Sequence, residues 1–481
     1  MIDSATTAAS HPDAYGPFAP IEVLSGLIQT GALKPSTLVA DCLKRIDALD
    51  RRVHAFVEVY ADEAMAAAEA HDRLIAAGHR IGPLHGIPVA LKDLVEMKGK
   101  HTTGGSAEWR GRISEETATL VRLLEAAGMI VIGKTHMVEF AYGAWGTNAH
   151  MGAPWNPWDM NTHRICGGSS SGSAAAVAAG MVPAAIGTDS GGSVRIPASL
   201  CGIVGLKTTV GRVSRAGTLY LSPTVDTIGP MVRSVADASF MLDALQGQDQ
   251  GDRSTLGVAP CTPGASLNTG VEGLRLLAME DSDRAKCSGP VNAAYDAALQ
   301  TFRDLGARVD TVTPPASLID VAAEGGRILS AESYAIHKAW IDDETKQFDP
   351  AVRRRILLGR DIDAAAYIDI LERRRQNIAA FDAFMADFDA MITPTTISSA
   401  VPLDAVDETQ SPMSLITRAG NYLEQCAIAV PAGIDDQAGA ENGLPLSIQV
   451  VGRAFDETRI LRIARAFEQA TDWKDRHPVG L

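Results

Sequence analysis

Between Gly82 and Gly211 the chain alternates short apolar runs with stretches of helical periodicity. This pattern constrains the fold most. Strand-length apolar runs interleaved with amphipathic helices bury their apolar surface in a sheet covered by helices on both faces, an α/β arrangement.

Two glycine loops carrying serine fall inside this region, Gly167-Gly168-Ser169-Ser170-Ser171-Gly172 and Gly191-Gly192-Ser193. A serine nucleophile needs a base to take its proton and N–H donors to hold the oxyanion it creates. Glycines adopt positive φ and let successive N–H groups converge on an anion. The N–H groups of Ser190, Gly191, Gly192 and Ser193 are thus expected to form an oxyanion hole, with Ser193 as the nucleophile. The expected base is Lys92, in the run Gly86-Ile87-Pro88-Val89-Ala90-Leu91-Lys92-Asp93, where period-2 alternation sets Val89 and Leu91 opposite Ala90 and Lys92. A lysine acts as a base only when neutral, and deep burial lowers its pKa from ~10.4 by several units. Taken alone, the segment also fits a surface lysine starting a loop with Asp93; the two serine loops turn the reading toward a base.

With these motifs the chain resembles the amidase signature family from about residue 20 to about residue 470. The resemblance rests also on Gly187-Thr188-Asp189-Ser190-Gly191-Gly192-Ser193-Val194-Arg195, Gly202-Ile203-Val204-Gly205-Leu206-Lys207-Thr208, Ile392-Thr393-Pro394-Thr395 and Gly443-Leu444-Pro445-Leu446-Ser447-Ile448-Gln449. It implies a large central mixed β-sheet with helices on both faces, in one domain spanning 21–475 after a loose tail at 1–20. It further implies a Ser-Ser-Lys triad in which Lys92 is the ultimate base, Ser169 relays protons and Ser193 attacks, with a cis peptide between Gly168 and Ser169. Asp189, Arg195 and Ser170 are expected in support, Arg195 pinning the loop through Asp189 or a carbonyl. The reaction implied is amide hydrolysis through an acyl-enzyme, with no metal or organic cofactor.

Other motifs are set aside on physical grounds. Gly128-Met129-Ile130-Val131-Ile132-Gly133-Lys134-Thr135 matches a phosphate-loop pattern, but its inner four residues read as a strand and Ala118–Ala127 as a helix; a phosphate loop needs its strand before the first glycine. Gly168-Ser169-Ser170-Ser171-Gly172 fits G-x-S-x-G but lacks the strand leading in and the downstream Asp and His order. Gly104-Gly105-Ser106 has no matching base and reads as a turn. The six cysteines, Cys166 beside the first serine loop included, show neither C-x-x-C nor metal spacing, which fits a reducing cytosol. With a net charge of −15 and no basic stripe, nucleic acid is not expected as a partner. The sequence has no signal-like start and no long apolar run, so a cytoplasmic protein without membrane contact is expected. The expected partner is a small-molecule amide, and the resemblance implies a homodimer.

A glycine-, serine-, threonine- and proline-rich stretch at about 247–272 reads as a long connection, and 318–385 as a helical excursion. In the excursion, Arg353-Arg354-Arg355 and Glu372-Arg373-Arg374-Arg375 read as solvated faces. Tyr334 and Trp340 are weak pocket candidates, read more readily as packing. Stronger substrate-binding candidates are Tyr142, Gly143, Ala144 and Trp145, because the family's corresponding segment runs beside the catalytic centre. The two aromatics point to an apolar or aromatic group in the substrate, although each also fits a core position. The expected function is a free-standing amidase for an aryl or alkyl amide, anilide or urea-like compound. The alternative is the A subunit of a glutamine-dependent tRNA amidotransferase; Tyr142 and Trp145 stand where that protein typically shows a polar stretch.

Overall fold

The computed structural model describes residues 15–481. Eleven strands form one mixed sheet: β1 (Phe56–Val59), β2 (Pro88–Lys92), β3 (Ile130–Thr135), β4 (Ala184–Asp189), β5 (Val204–Lys207), β6 (Thr227–Val232), β7 (Arg275–Ala278), β8 (Arg308–Thr311), β9 (Ala390–Pro394), β10 (Cys426–Asp435) and β11 (Leu444–Gly452). Their order across the sheet is β1, β3, β2, β4, β6, β5, β10, β11, β9, β7, β8. Strand β2 runs parallel to both neighbours, β3 and β4, whereas β4 pairs antiparallel with β6 and β10 antiparallel with β5 and β11. Fourteen α-helices among the described residues accompany the sheet.

The interior place of β2, third from one edge of the sheet, explains why alternation does not give it a wet face. All five of its residues are buried, as expected of a strand with parallel neighbours and helices above and below. The helix Ser171–Ala178 packs over β2, β3 and β4, and it is small-sided and buried along its whole length. Close approach demands this composition: a Cβ on Gly172 would stand 2.3 Å from the Ala55 carbonyl oxygen and 2.4 Å from the His136 nitrogen. Glycine in a helix costs roughly 0.5–1 kcal/mol, which the packing of the first serine loop against the sheet offsets.

Residues 318–385 hold the helices Leu318–His337, Pro350–Leu357 and Ala364–Met385. Ser317, Asp349 and Asp363 cap their N-termini by accepting backbone N–H groups. The first of these helices packs on the short helix Thr417–Tyr422, which brings the excursion over the second serine loop. Of the expected N-terminal tail, residues 1–14 lie outside the described residues, and a helix has formed by Ile21–Thr30. The connection at 247–272 contains only two short 3-10 segments, Arg253–Thr255 and Pro263–Ser266. The phosphate-loop pattern resolves as read: helix Thr119–Ala126, then β3 running through Gly133 and Lys134. All six cysteines are unpaired. Among the described residues no helix is long and apolar enough to cross a membrane.

Candidate active site

Lys92 ends β2 with no exposure to solvent. Its Nζ donates to Ser169 Oγ at 2.7 Å and to Thr188 Oγ1 at 2.9 Å. Burial lowers the ammonium from 10.5 to about 7, with Asp226 and Asp189 opposing the shift, so a large fraction is neutral near neutral pH. Ser169 enters this contact through a cis peptide from Gly168 and is itself fully buried. Ser170 binds the neighbouring strand, accepting from Thr188 N at 3.3 Å and donating to Thr188 O at 3.4 Å.

The second serine loop connects β4 to the helix Arg195–Cys201. Asp189 organises it. One carboxylate oxygen accepts from Gly192 N at 2.7 Å, and the other accepts from Val194 N at 3.2 Å and pairs with Arg195 at 3.0 Å. Burial works against the Asp189 carboxylate, yet Arg195 beside it holds its pKa well below the usual range. Arg195 also donates to Gln449 Oε1 at 2.8 Å and to Asn421 Oδ1 at 2.7 Å, so it lies wholly inside the protein. Asp189→Asn leaves a buried guanidinium without its counter-charge, and a loss of about 3–5 kcal/mol in unfolding free energy is expected from denaturant titration. A loss below about 1 kcal/mol would rule out the clamp.

The loop departs from expectation at Gly192. Its N–H is taken by Asp189 and therefore is not offered to an oxyanion. Glycine is required there for another reason: φ is 127°, and a Cβ would stand 2.2 Å from Thr417 Oγ1. Ser190, Gly191 and Ser193 do line a cavity of about 470 Å³. The two serine loops are joined where Ser170 N donates to Ser193 O at 3.3 Å.

Tyr142, Gly143 and Ala144 form the facing wall of the cavity. The Tyr142 hydroxyl meets Ser330 Oγ of the excursion at 2.8 Å, closing that side. Trp145 departs from expectation. It is buried in a separate apolar cluster with Trp158, Ile165, Ile196 and Leu200, and its Nε1 donates to Gln410 O at 3.1 Å. Tyr334 and Trp340 also lie away from the cavity, packed with Trp109, Phe140 and Phe348.

Several residues at the site were not singled out as site residues in the sequence. Thr188 holds Lys92, and Asp226 accepts from Ser190 Oγ with its pKa pushed up to about 6 by burial, against that hydrogen bond. Arg355 belongs to the run read as a solvated face, yet it turns inward, donating to Tyr142 O at 2.9 Å and pairing with Glu408. Arg418, from the helix Thr417–Tyr422, projects into the cavity. A charge run signalled Arg355 but carried no direction; Arg418 stands alone in sequence.

The family model described as Amidase matches residues 37–461. The A subunit of the Glutamyl-tRNA(Gln) amidotransferase of Chloroflexus aggregans is 35% identical over 478 residues, covering 94% of this chain and 96% of that protein. The crystal structure of the corresponding Glutamyl-tRNA(Gln) amidotransferase A subunit of Thermotoga maritima superposes with a TM-score of 0.77 at 32% identity, covering 94% of this chain and 95% of its own. A native peptide amidase from Stenotrophomonas maltophilia superposes with a TM-score of 0.83 at 31% identity, covering 96% and 98%. These relatives correct the expected partner set, in which a small-molecule amide and a second copy stood alone and nucleic acid was excluded. A relative similar along nearly its whole length is, by name, one component of an enzyme for a tRNA-linked substrate. Net charge fails as a criterion here because one component of an assembly need not itself carry the surface that meets RNA.

Proposed function

Because the chain belongs to the amidase signature family, a family of amidohydrolases, we propose that Lys92, Ser169 and Ser193 cleave a primary carboxamide by acyl transfer, releasing ammonia as the A subunit of a glutamine-dependent amidotransferase does. The observation that carries the chemistry is the 2.7 Å contact between Lys92 Nζ and Ser169 Oγ, made by a fully buried lysine behind a loop whose Ser193 opens on the cavity. Neutral Lys92 takes the Ser169 proton as Ser169 takes that of Ser193. The Ser193 oxygen adds to the amide carbonyl, and the oxyanion is held by loop N–H groups at Ser190, Gly191 and Ser193. Collapse expels ammonia with the relayed proton. Water, deprotonated along the same path, then hydrolyses the ester and frees Ser193.

The amidotransferase reading is supported by the 35% identity to an A subunit of that enzyme along nearly the whole chain. Ammonia would then pass to a glutamyl-tRNA acceptor held with partner subunits. The Tyr142 wall and the 31% identity to a peptide amidase favour a second reading, hydrolysis of a bulkier amide by the chain acting alone. Ammonia release from glutamine, measured beside turnover of aryl anilides and peptide amides by the purified protein, separates them. Ammonia from glutamine is expected; anilide turnover with glutamine inert would overturn the first reading.

A further inference from the structure

The chain as a whole is acidic, at −15, but the cavity is not. Its ionic lining is Arg327, Arg354, Arg355 and Arg418 against one carboxylate, Glu408. Three of these cations are already engaged. Glu408 is held by Arg355 and by the Thr147 hydroxyl, Arg354 donates to the Glu408 carbonyl, and Arg327 pairs with Glu324 at 3.4 Å.

Arg418 differs from the rest. Among the described residues no carboxylate lies within ion-pair distance of it. Its partners are the hydroxyls of Ser411 and Ser414, both also lining the cavity, and its Nε is buried without any partner. Burial disfavours its charge, Tyr142 beside it opposes that, and the cation of Arg355 adds to it. It also lies against the second serine loop: a Cβ on Gly191 would stand 3.3 Å from Arg418 Cγ and 3.4 Å from its Nε. Thr417, the preceding residue, fixes this approach by donating to Gly191 O at 2.8 Å. Close packing of the overlying helix is permitted by Gly325 and Gly326, where added Cβ atoms would lie 3.4 Å and 3.1 Å from the Arg418 side chain.

A guanidinium without a counter-ion, beside the scissile position in a walled cavity, is built to be completed by a ligand. We propose that Arg418, with Ser411 and Ser414, binds a carboxylate on the acyl part of the substrate, making the enzyme selective for primary amides of short carboxylic acids that carry a second, free carboxylate. The inference rests on the ammonia-releasing reading above: when the leaving group is ammonia, the anionic group belongs to the acyl chain. Among the described residues the one acidic side chain of the lining, Glu408, is held by Arg355, so an α-ammonium finds no free carboxylate there. Recognition therefore runs through the carboxylate, and the amino group of an amino-acid amide is dispensable.

The test compares glutaramate, glutamine and uncharged pentanamide as substrates for the full chain and for Arg418→Met and Arg418→Lys, with kcat and KM determined separately. For the unaltered protein, kcat/KM for glutaramate should exceed that for pentanamide by about 10- to 100-fold and should match or exceed that for glutamine. In Arg418→Met the glutaramate-to-pentanamide ratio should fall toward one, mainly through KM, and Arg418→Lys should restore part of it. Equal losses on both substrates in Arg418→Met, or a glutamine preference of roughly tenfold or more over glutaramate, would overturn the inference. Turnover of primary amides without carboxylate preference would overturn it alone; inertness of every primary amide would overturn the ammonia-releasing reading and the inference together.

Discussion

Ser193→Ala should lower kcat on the best amide by roughly 10⁴-fold or more, the scale of loss when an acyl-transfer serine is removed. Ser193 is 8% exposed and lines the cavity, so removing its hydroxyl should change folding stability by no more than about 0.5 kcal/mol. A kinetic loss without a stability loss is what separates a nucleophile from a structural serine. The covalent intermediate gives an independent readout. Acid-quenched unaltered protein should gain the mass of the acyl group on the peptide containing Ser193, and Ser193→Ala should gain none. Ser169 is the informative comparison, because its hydroxyl is bound to Lys92 in a fully buried position where a substrate carbonyl has no room. An adduct on Ser169, or retention of more than about one per cent of kcat in Ser193→Ala, would reject Ser193 as nucleophile.

The contact between the first serine loop and Lys92 could be anticipated because each lies in a short run whose glycines and apolar neighbours fix its conformation. The Gly192 N–H could not, since its direction depends on Asp189 turning back under the loop, and a glycine in sequence does not say which way its N–H points. The segment 140–145 shows a different limit. Phe140 and Ala141 adopt φ of 49° and 60°, a left-handed reversal rare for residues with a Cβ. Neither strand nor helix period survives it, so nothing in the order of residues told that Tyr142 would face the cavity while Trp145 packed away from it.

Long-range placement accounts for the rest. Arg418 and Asp226 reach the site only because the helix Thr417–Tyr422 and the approach to β6 are folded against the second serine loop. The sheet joins strands far apart in the chain, with β5 beside β10 and β9 beside β7, and such an order has no signature in periodicity. Fold class, by contrast, needs only the alternation of elements, which is why the helix-covered sheet was readable without its topology.

Lys92→Met is expected to abolish turnover while leaving the protein folded, and the pH dependence of the unaltered protein gives the reason. The lysine must be neutral to accept a proton, so the rate should rise with pH and level off above about 7, falling roughly tenfold per unit below it. The linkage sign is fixed by the same shift. The folded-state pKa lies below the unfolded value of ~10.4, so between about 7 and that value the unfolded chain holds the extra proton. Stability from this residue therefore rises with pH across that window, and near pH 7 the lysine costs the fold on the order of a few kcal/mol. Methionine removes that cost along with the bonds to Ser169 and Thr188, so the variant should melt at or above the unaltered protein near pH 7 and show a smaller rise in stability toward pH 10. A large drop in melting temperature would make Lys92 a structural group, and a rate independent of pH between 5 and 8 would remove it as the base. A lysine that lowers stability at this pH is hard to account for by packing, and the proposed proton transfer from Ser169 gives its burial inside the sheet a reason.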